Sequence, residues 1–383
     1  MSKFLIDVTR LVDRLLKGRL PTGVDRVNLE YVRYYGPGAC ALVRWRGRSF
    51  VFSVSCSQAL FHWLSVPASR AEAYSILARG MIKSWRSRPA AGSILFNNGH
   101  TGLEQQGYAA MIQQQKLRPF FMVHDLIPIS HPEFCRPGER QKHLARMRTV
   151  MGSAAGIVCN SQATQDELSA LARRENLALP PSIVALLAPG ITAVPVDRRP
   201  MDAPYFVILG TIEPRKNHLL LLQVWRCLSE RLGDRTPRLV LIGQRGWECE
   251  NAVDMLERCE QLKGLVTELT SCTDDELASW LRHARALLFP SFAEGYGLPL
   301  VEALSFGTPV IASDLKVFRE IAGDVPEYLD PLDGLGWMAM IERYLDEDSR
   351  ERNQQLGRMG GFAAPTWNDH FKRVDALLEQ VGR

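Results

Sequence analysis

Leu287-Leu-Phe-Pro-Ser-Phe-Ala-Glu294-Gly295-Tyr296-Gly297-Leu298-Pro299-Leu-Val-Glu302-Ala-Leu-Ser-Phe-Gly307-Thr-Pro309-Val-Ile-Ala-Ser-Asp314 reads as strand, turn, short helix and strand. The apolar run ending at Phe289 has the length and character of a buried strand. A glycine-bearing turn follows it. Pro299 is suited to the first helical position, and Gly307 closes the helix before the apolar Val310-Ile-Ala. Strand, helix and strand in this order are the repeating unit of a parallel α/β sheet.

The same alternation extends in both directions. Downstream of residue 200, strands are expected at 205–210, 239–243, 265–269, 286–289 and 310–312, with helices at 218–232, 252–262, 275–284 and 299–306. Upstream, apolar runs at 4–8, 93–97, 120–124, 156–159 and 183–187 read as buried strands, separated by helix-period segments near 24–35, 71–85, 103–116, 139–151 and 161–172. Between the two series lies Ala188-Pro189-Gly190-Ile-Thr-Ala-Val-Pro195-Val-Asp-Arg-Arg-Pro200, rich in proline and without periodicity. The spacing predicts an α/β protein of two doubly wound domains, 1–190 and 191–365, facing a central cleft. A last helix at 366–383, set off by Gly360-Gly361 and Pro365, is expected to pack back on the first domain. The long stretch 11–20 reads as a loop and is expected to be mobile.

The 383 residues are 46% hydrophobic and 23% charged, which excludes wholesale disorder, collagen and coiled coil. No apolar run is long enough to span a bilayer, and residues 1–8 lack a signal-peptide pattern, so a cytoplasmic protein is expected. Eight cysteines stand singly, without a CxxC spacing, and read as reduced. Charge is uneven. Residues 1–200 hold 26 Lys and Arg against 13 Asp and Glu, and the remainder hold 20 against 29. The basic half suits an anionic partner such as a membrane surface, or else is a solvated face.

Ligands of doubly wound sheets bind at the carboxyl ends of the strands, where the distinctive loops of this chain fall. Gly297 and Leu298 open a helix whose amides and dipole favour a phosphate. Glu294 and Glu302 would repel that phosphate and instead suit sugar and ribose hydroxyls, although either one alone reads more readily as a solvated loop acid (Glu294) or a dipole-complementing first-turn acid (Glu302). In Tyr205-Phe-Val-Ile-Leu-Gly210-Thr211-Ile-Glu213-Pro214-Arg215-Lys216-Asn217, adjacent Arg215 and Lys216 between strand and helix suit a diphosphate. Cations at a helix start otherwise oppose its dipole. The first domain offers Pro21-Thr22-Gly23-Val24-Asp25-Arg26, and a strand running into His124-Asp125-Leu-Ile-Pro128 and then His131-Pro132-Glu133-Phe134. Ser161 reads as a helix N-cap.

Taken together these stretches resemble the retaining GT-B glycosyltransferases of family 4 type, whose mark is Glu-x7-Glu, here Glu294 and Glu302 with Gly295, Tyr296, Gly297 and Leu298 between them. The resemblance implies two Rossmann-like domains, with Glu294 on the donor sugar hydroxyls and Glu302 on the nucleotide ribose. Glu213-Pro-Arg-Lys-Asn looks like the family's diphosphate site, next to Gly210 and Thr211. Many relatives carry Arg where Thr211 stands, so Arg215 must supply the guanidinium or the site is weaker. Thr22-Gly23 is similar to the family's Gly-rich first loop. Asp25 replaces a small residue there, and whether Asp25 or Arg26 touches substrate is open. The His-Asp-Leu-Ile-Pro run is similar to that of bacterial polysaccharide mannosyltransferases, which implies a donor-sugar contact for His124 and a supporting or acceptor-side role for Asp125.

The expected activity is transfer of a hexose, mannose from GDP-mannose first, to a hydroxyl of a glycan or lipid-linked oligosaccharide of a surface polysaccharide. Other UDP- or GDP-sugars stay open, as does a non-catalytic nucleotide-sugar-binding protein. Arg215, Lys216, Glu294 and His124 are the catalytic set, with the cations and helix amides stabilising the departing phosphate. No cofactor and no metal are expected. Asp346-Glu347-Asp348 formally matches a metal motif but lies in a charged helical tail. No nucleic-acid recognition motif, dinucleotide glycine fingerprint or P-loop is present.

Overall fold

The computed structural model describes residues 2–66, 69–84, 87, 89–191, 198–346 and 348–382. Two compact units result, one from Met1–Ile129, Gly138–Leu187 and Trp367–Arg383, the other from Ser130–Pro137 and Ala188–Thr366. No helix among the described residues is long and apolar enough to cross a membrane.

The first unit holds strands β1 (Phe4–Asp7), β2 (Cys40–Trp45), β3 (Arg48–Val51), β4 (Ile94–Asn97), β5 (Arg118–Val123), β6 (Gly156–Cys159) and β7 (Ser182–Val184). They form one sheet in the order β3-β2-β1-β4-β5-β6-β7, parallel except for the β2–β3 hairpin. Its helices are α1 (Thr9–Leu16), α2 (Gly23–Tyr35), α3 (Val54–Ser65), α4 (Arg70–Lys83), α5 (Gln106–Gln114), α6 (Ile127–Ser130, ending at the junction of the units), α7 (Glu139–Ser153), α8 (Gln162–Arg174) and, from the chain's end, α16 (Trp367–Gly382). One core cluster runs from Leu5 and Leu95 through Phe121 and Ile157 to Leu168. On another face α16 closes an aromatic group: Phe371 stacks on Tyr34 at 4.0 Å and meets Tyr31 edge-on at 5.2 Å. The phenols of Tyr34 and Tyr35 both donate to Asp375, at 2.8 and 2.7 Å.

The second unit holds β8 (Tyr205–Leu209), β9 (Arg238–Ile242), β10 (Val266–Leu269), β11 (Leu287–Phe289), β12 (Val310–Ser313) and β13 (Glu327–Leu329). Their order is β10-β9-β8-β11-β12-β13, parallel throughout. Helices α9 (His218–Leu232), α10 (Glu250–Arg258), α11 (Asp274–His283), α12 (Leu298–Ser305), α13 (Lys316–Ala322), α14 (Gly334–Leu345) and α15 (Arg350–Met359) belong to it. Its core gathers Phe206, Trp225, Leu241, Leu288 and Trp337, each 2% exposed or less. Full burial of an aliphatic or phenyl side chain is worth about 2 kcal/mol, so such a cluster is the main source of cohesion in each unit.

Several readings change. The stretch 11–20 is largely helix, because Leu11 and Val12 bury their side chains while Arg10 and Arg14, one turn apart, both reach Asp25. The β2–β3 hairpin was not expected, since Arg44-Trp45-Arg46-Gly47-Arg48 hides its strand pattern behind charge. Ser130–Pro137 falls outside a first domain drawn as 1–190: Phe134 stacks on Phe292 at 5.2 Å, and the Trp247 indole donates to its carbonyl. The expected helix end at residue 85, residues 192–197 of the proline-rich 188–200 segment and Glu347 lie outside the described residues.

Candidate functional site

In the second unit the strand order reverses between β8 and β11, and the loops leaving their carboxyl ends converge there. After β8 the chain passes through Gly210 at φ +142°, where an added Cβ would lie 3.3 Å from Cε of Lys216. A tight turn at Pro214–Lys216 follows, then Asn217 in the left-handed region at φ +56°, a conformation its short amide side chain tolerates. Asn217 donates to the Pro331 carbonyl at 2.8 Å, and α9 begins.

This turn drives two cations onto Glu294 of the β11–α12 loop. Lys216 Nζ is 2.5 Å from one carboxylate oxygen, and Arg215 Nη1 is 2.8 Å from the other. Ser291 donates to the first oxygen at 2.8 Å. Arg215 is held from behind by Glu213 at 2.7 Å and by the Ala293 carbonyl at 3.0 Å. The ammonium also lies 4.8 Å from the centre of the Phe289 ring. Side-chain exposure is 8% for Glu294 and 9% for Lys216, so little water screens the pair. Burial alone would raise the Glu294 pKa, but Arg215 and then Lys216 outweigh it and hold the carboxyl at about 2. Burial pulls the Lys216 ammonium below its usual value, partly opposed by Glu294.

α12 opens at Gly297, φ +112°, where a Cβ would come 2.6 Å from the Phe318 ring. Leu298 and Pro299 make the first turn, and their position at the end of β11 aims the helix N-terminus out of the switch point. Gly295 is half-buried and Tyr296 buried. Glu302, 4% exposed, accepts the Gly190 amide at 3.2 Å. Gly210, Thr211, Arg215, Lys216 and Glu294–Gly297 therefore belong to one pair of adjoining loops, with Leu298 and Glu302 on the helix that the second loop opens. His218 was missed by the sequence reading. Burial, then Lys216, pushes its pKa down to about 3, and its Nδ1 has no hydrogen-bond partner among the described residues. A histidine directly after Lys-Asn at a helix start was the available signal.

The sequence-predicted residues of the first unit occupy two places. Thr22 caps α2 in a reciprocal box with Asp25, whose carboxylate accepts the Thr22 amide at 2.8 Å and its hydroxyl at 2.6 Å. Asp25 is 1% exposed and ion-paired to Arg10 and Arg14, both at 2.8 Å. It braces the loop. Gly23 and Arg26 lie half-buried on the same first turn. At the end of β5, buried His124 hydrogen-bonds the Asn98 carbonyl at 2.6 Å, and Asp125 accepts the Ile127 amide at 3.1 Å. Two further histidines, unforeseen, complete a cluster: His100 lies on the Met122 carbonyl and His143 on that of Asp125, with the His100 ring 5.7 Å from each of the other two rings. Burial is the leading cause that lowers all three pKa values, so the rings are neutral at pH 7. Asp7, at the carboxyl end of β1, is also buried and accepts the Tyr108 phenol at 3.0 Å. Ser161 caps α8, as its sequence position indicated, accepting the Thr164 amide at 3.0 Å.

Residues 193–326 match the model of the family described as Glycosyl transferases group 1. The serotype-specific mannosyltransferase WbdA of Escherichia coli is 30% identical over 218 residues, covering 53% of this chain and 26% of that protein. O-antigen chain mannosyltransferase B of Escherichia coli is 30% identical over 234 residues, 59% of this chain and 61% of that protein. The chain thus spans about a quarter of the first relative and three-fifths of the second. The crystal structure of HepE from Anabaena in complex with UDP and glucose is similar with a TM-score of 0.68 at 14% identity, over 99% of this chain and 100% of that one. At that identity the likeness speaks for architecture: the fold is GT-B.

Proposed function

We propose that this protein is a retaining hexosyltransferase of family 4 type that transfers mannose from GDP-mannose to a hydroxyl of a glycan or lipid-linked oligosaccharide in surface polysaccharide synthesis. The observation that carries the reading is the Arg215–Glu294–Lys216 cluster at the β8–β11 switch point, beside the N-terminus of α12. The group 1 domain and the mannosyltransferase relatives support the donor class.

When the bond between the anomeric carbon and the diphosphate breaks, negative charge grows on the phosphate oxygen. Lys216, Arg215 and the amides at Gly297 and Leu298 are fixed in a poorly hydrated pocket, where such charge is stabilised more strongly than in water. Glu294 holds both cations in place before substrate arrives, which preorganises the site, and its remaining lone pairs accept donor-sugar hydroxyls. Glu302 accepts a ribose hydroxyl. With two cations and a helix terminus to meet the diphosphate, the reading needs no divalent ion. His124, neutral and with its Nε2 committed to Asn98, offers Nδ1 as an acceptor to a sugar hydroxyl. Thr22, Gly23 and Arg26 are assigned to the acceptor side, with Asp125 supporting His124.

The test is calorimetric binding of GDP, UDP, ADP and their sugar conjugates, with and without Mg²⁺, followed by NMR of the transfer product. Binding of GDP-mannose without metal, and an α-linked product from the α-linked donor, are the expected results. Preference for a uridine nucleotide would replace mannose by a UDP-sugar within the same reading. Binding without turnover on any acceptor would leave a nucleotide-sugar-binding protein.

A further inference from the structure

Residues 40–84 carry six Arg and Lys against a single acid, Glu72. Within this stretch α4 has two apolar faces. The inner one, Ala73, Ile76, Leu77 and Gly80, is buried, and Gly80 approaches Phe52 so closely that a Cβ would sit 2.3 Å from its ring. The outer one is not explained by the fold. At about 100° per residue, Ala71, Tyr74, Ala78 and Ile82 form a stripe nearly opposite the core face. Tyr74 is 57% and Ile82 71% exposed. Arg79 and Lys83 border the stripe on one side, with Glu72 in line with them, and Arg70 on the other, all exposed, which leaves the margin net positive. Near it in sequence, the β2–β3 hairpin turns at Arg46 and Gly47, both with positive φ, and shows Trp45 at 52% exposure between Arg44 and Arg46.

An exposed apolar stripe with a cationic margin is the pattern of a helix lying in a lipid headgroup region, where apolar side chains enter the acyl boundary and cations meet lipid phosphates. We infer that the outer face of α4 is the surface by which this protein rests on an anionic bilayer. A nucleic acid would engage the cations but leave Ile82 and Ala78 without a role, and a second copy of the chain would set like charges against each other. The inference rests on the reading above only for its biological sense, since vesicle binding is measured without sugar transfer and the two fail separately.

The experiment is flotation of the full-length protein with vesicles of phosphatidylcholine containing about 30% phosphatidylglycerol, and with phosphatidylcholine alone, at about 50 and about 500 mM NaCl. Flotation is expected with the anionic vesicles at low salt and to fall at least about tenfold on neutral vesicles or at high salt. Tyr74→Gln with Ile82→Gln, and separately Arg79→Gln with Lys83→Gln, are each expected to weaken it about tenfold or more, with melting temperature and donor binding unchanged. Absence of flotation with anionic vesicles at low salt overturns the inference. So does flotation unaffected by the Tyr74 and Ile82 pair, or an oligonucleotide that displaces the protein from vesicles at equal charge concentration. Self-association abolished by the same pair, without vesicle binding, also overturns it.

Discussion

Lys216 and Glu294 form an ion pair of 2.5 Å in which neither side chain is more than a tenth exposed. Such a pair gives little net stability when intact, but loss of either partner leaves a buried charge uncompensated. On the proposed function, its value lies in holding two cations in position before a phosphate arrives.

Replacing Lys216 by Met should lower kcat by about 10²- to 10³-fold, the range for removing one preorganised stabiliser of developing charge. Steady-state kinetics against donor concentration check this. A change confined to KM would show that Lys216 binds the ground state and the transition state equally.

Glu294→Gln should make the protein less stable at pH 7, by roughly 3 kcal/mol for a carboxyl held at about 2 against 4.5. The folded pKa is depressed, so the carboxylate's contribution is complete above about 4.5 and fades as pH falls towards 2. Urea unfolding of both proteins at pH 7, 4 and 3 should show the gap closing in acid.

Gly297→Ala places a Cβ against Phe318 in a backbone conformation that alanine resists, with a cost of about 1–3 kcal/mol. Because that residue opens α12, donor affinity should fall about tenfold or more, as read by calorimetry. Wild-type affinity in the variant would remove the helix terminus from the diphosphate site.

Asp25→Ala should cost about 2–3 kcal/mol in thermal or urea unfolding, since it removes a capping box and strands Arg10 and Arg14. Calorimetric affinity of the same variant for the nucleotide checks whether the damage stays within the first unit, to which Asp25 and both arginines belong.

His100, His124 and His143 are buried with lowered pKa values, so below the unfolded value of 6.5 the unfolded chain binds more protons than the folded one. Stability should therefore drop as pH falls from 7 to 5, and His100→Gln should flatten that slope in urea titrations. An unchanged slope would mean that His100 takes up its proton in the folded protein over the same range as in the unfolded chain.

What the sequence made legible follows period and punctuation. Strands such as Leu287–Phe289 and helices such as His218–Leu232 announce themselves by apolar runs and bounding glycines or prolines, so both sheets and the loops at their carboxyl ends could be placed. Glu294, Arg215 and Lys216 could be marked as site residues, but not as one cluster, since 78 positions separate Lys216 from its partner and only the tertiary fold joins them. For Asp25 the sequence left substrate contact open and did not show the capping box, because a capping carboxylate and a ligand carboxylate look alike in one dimension. The histidine cluster stayed hidden for the same reason: His100 and His143 lie on separate elements and carry no shared spacing.

The first unit is finished by its last residues. Tyr31, Tyr34 and Tyr35 wait for Phe371 and Asp375, and Tyr31 pairs with His370 at 3.0 Å across 339 positions. On a ribosome moving at about 5–20 residues per second, the entire second unit is synthesised in between, a delay on the order of ten seconds or more. During that interval a nascent chain displays a sticky aromatic face that only the emergence of His370, Phe371 and Asp375 can cover. A polypeptide ending before Trp367 would thus keep every residue of the second unit and carry a permanent chaperone signal on the first.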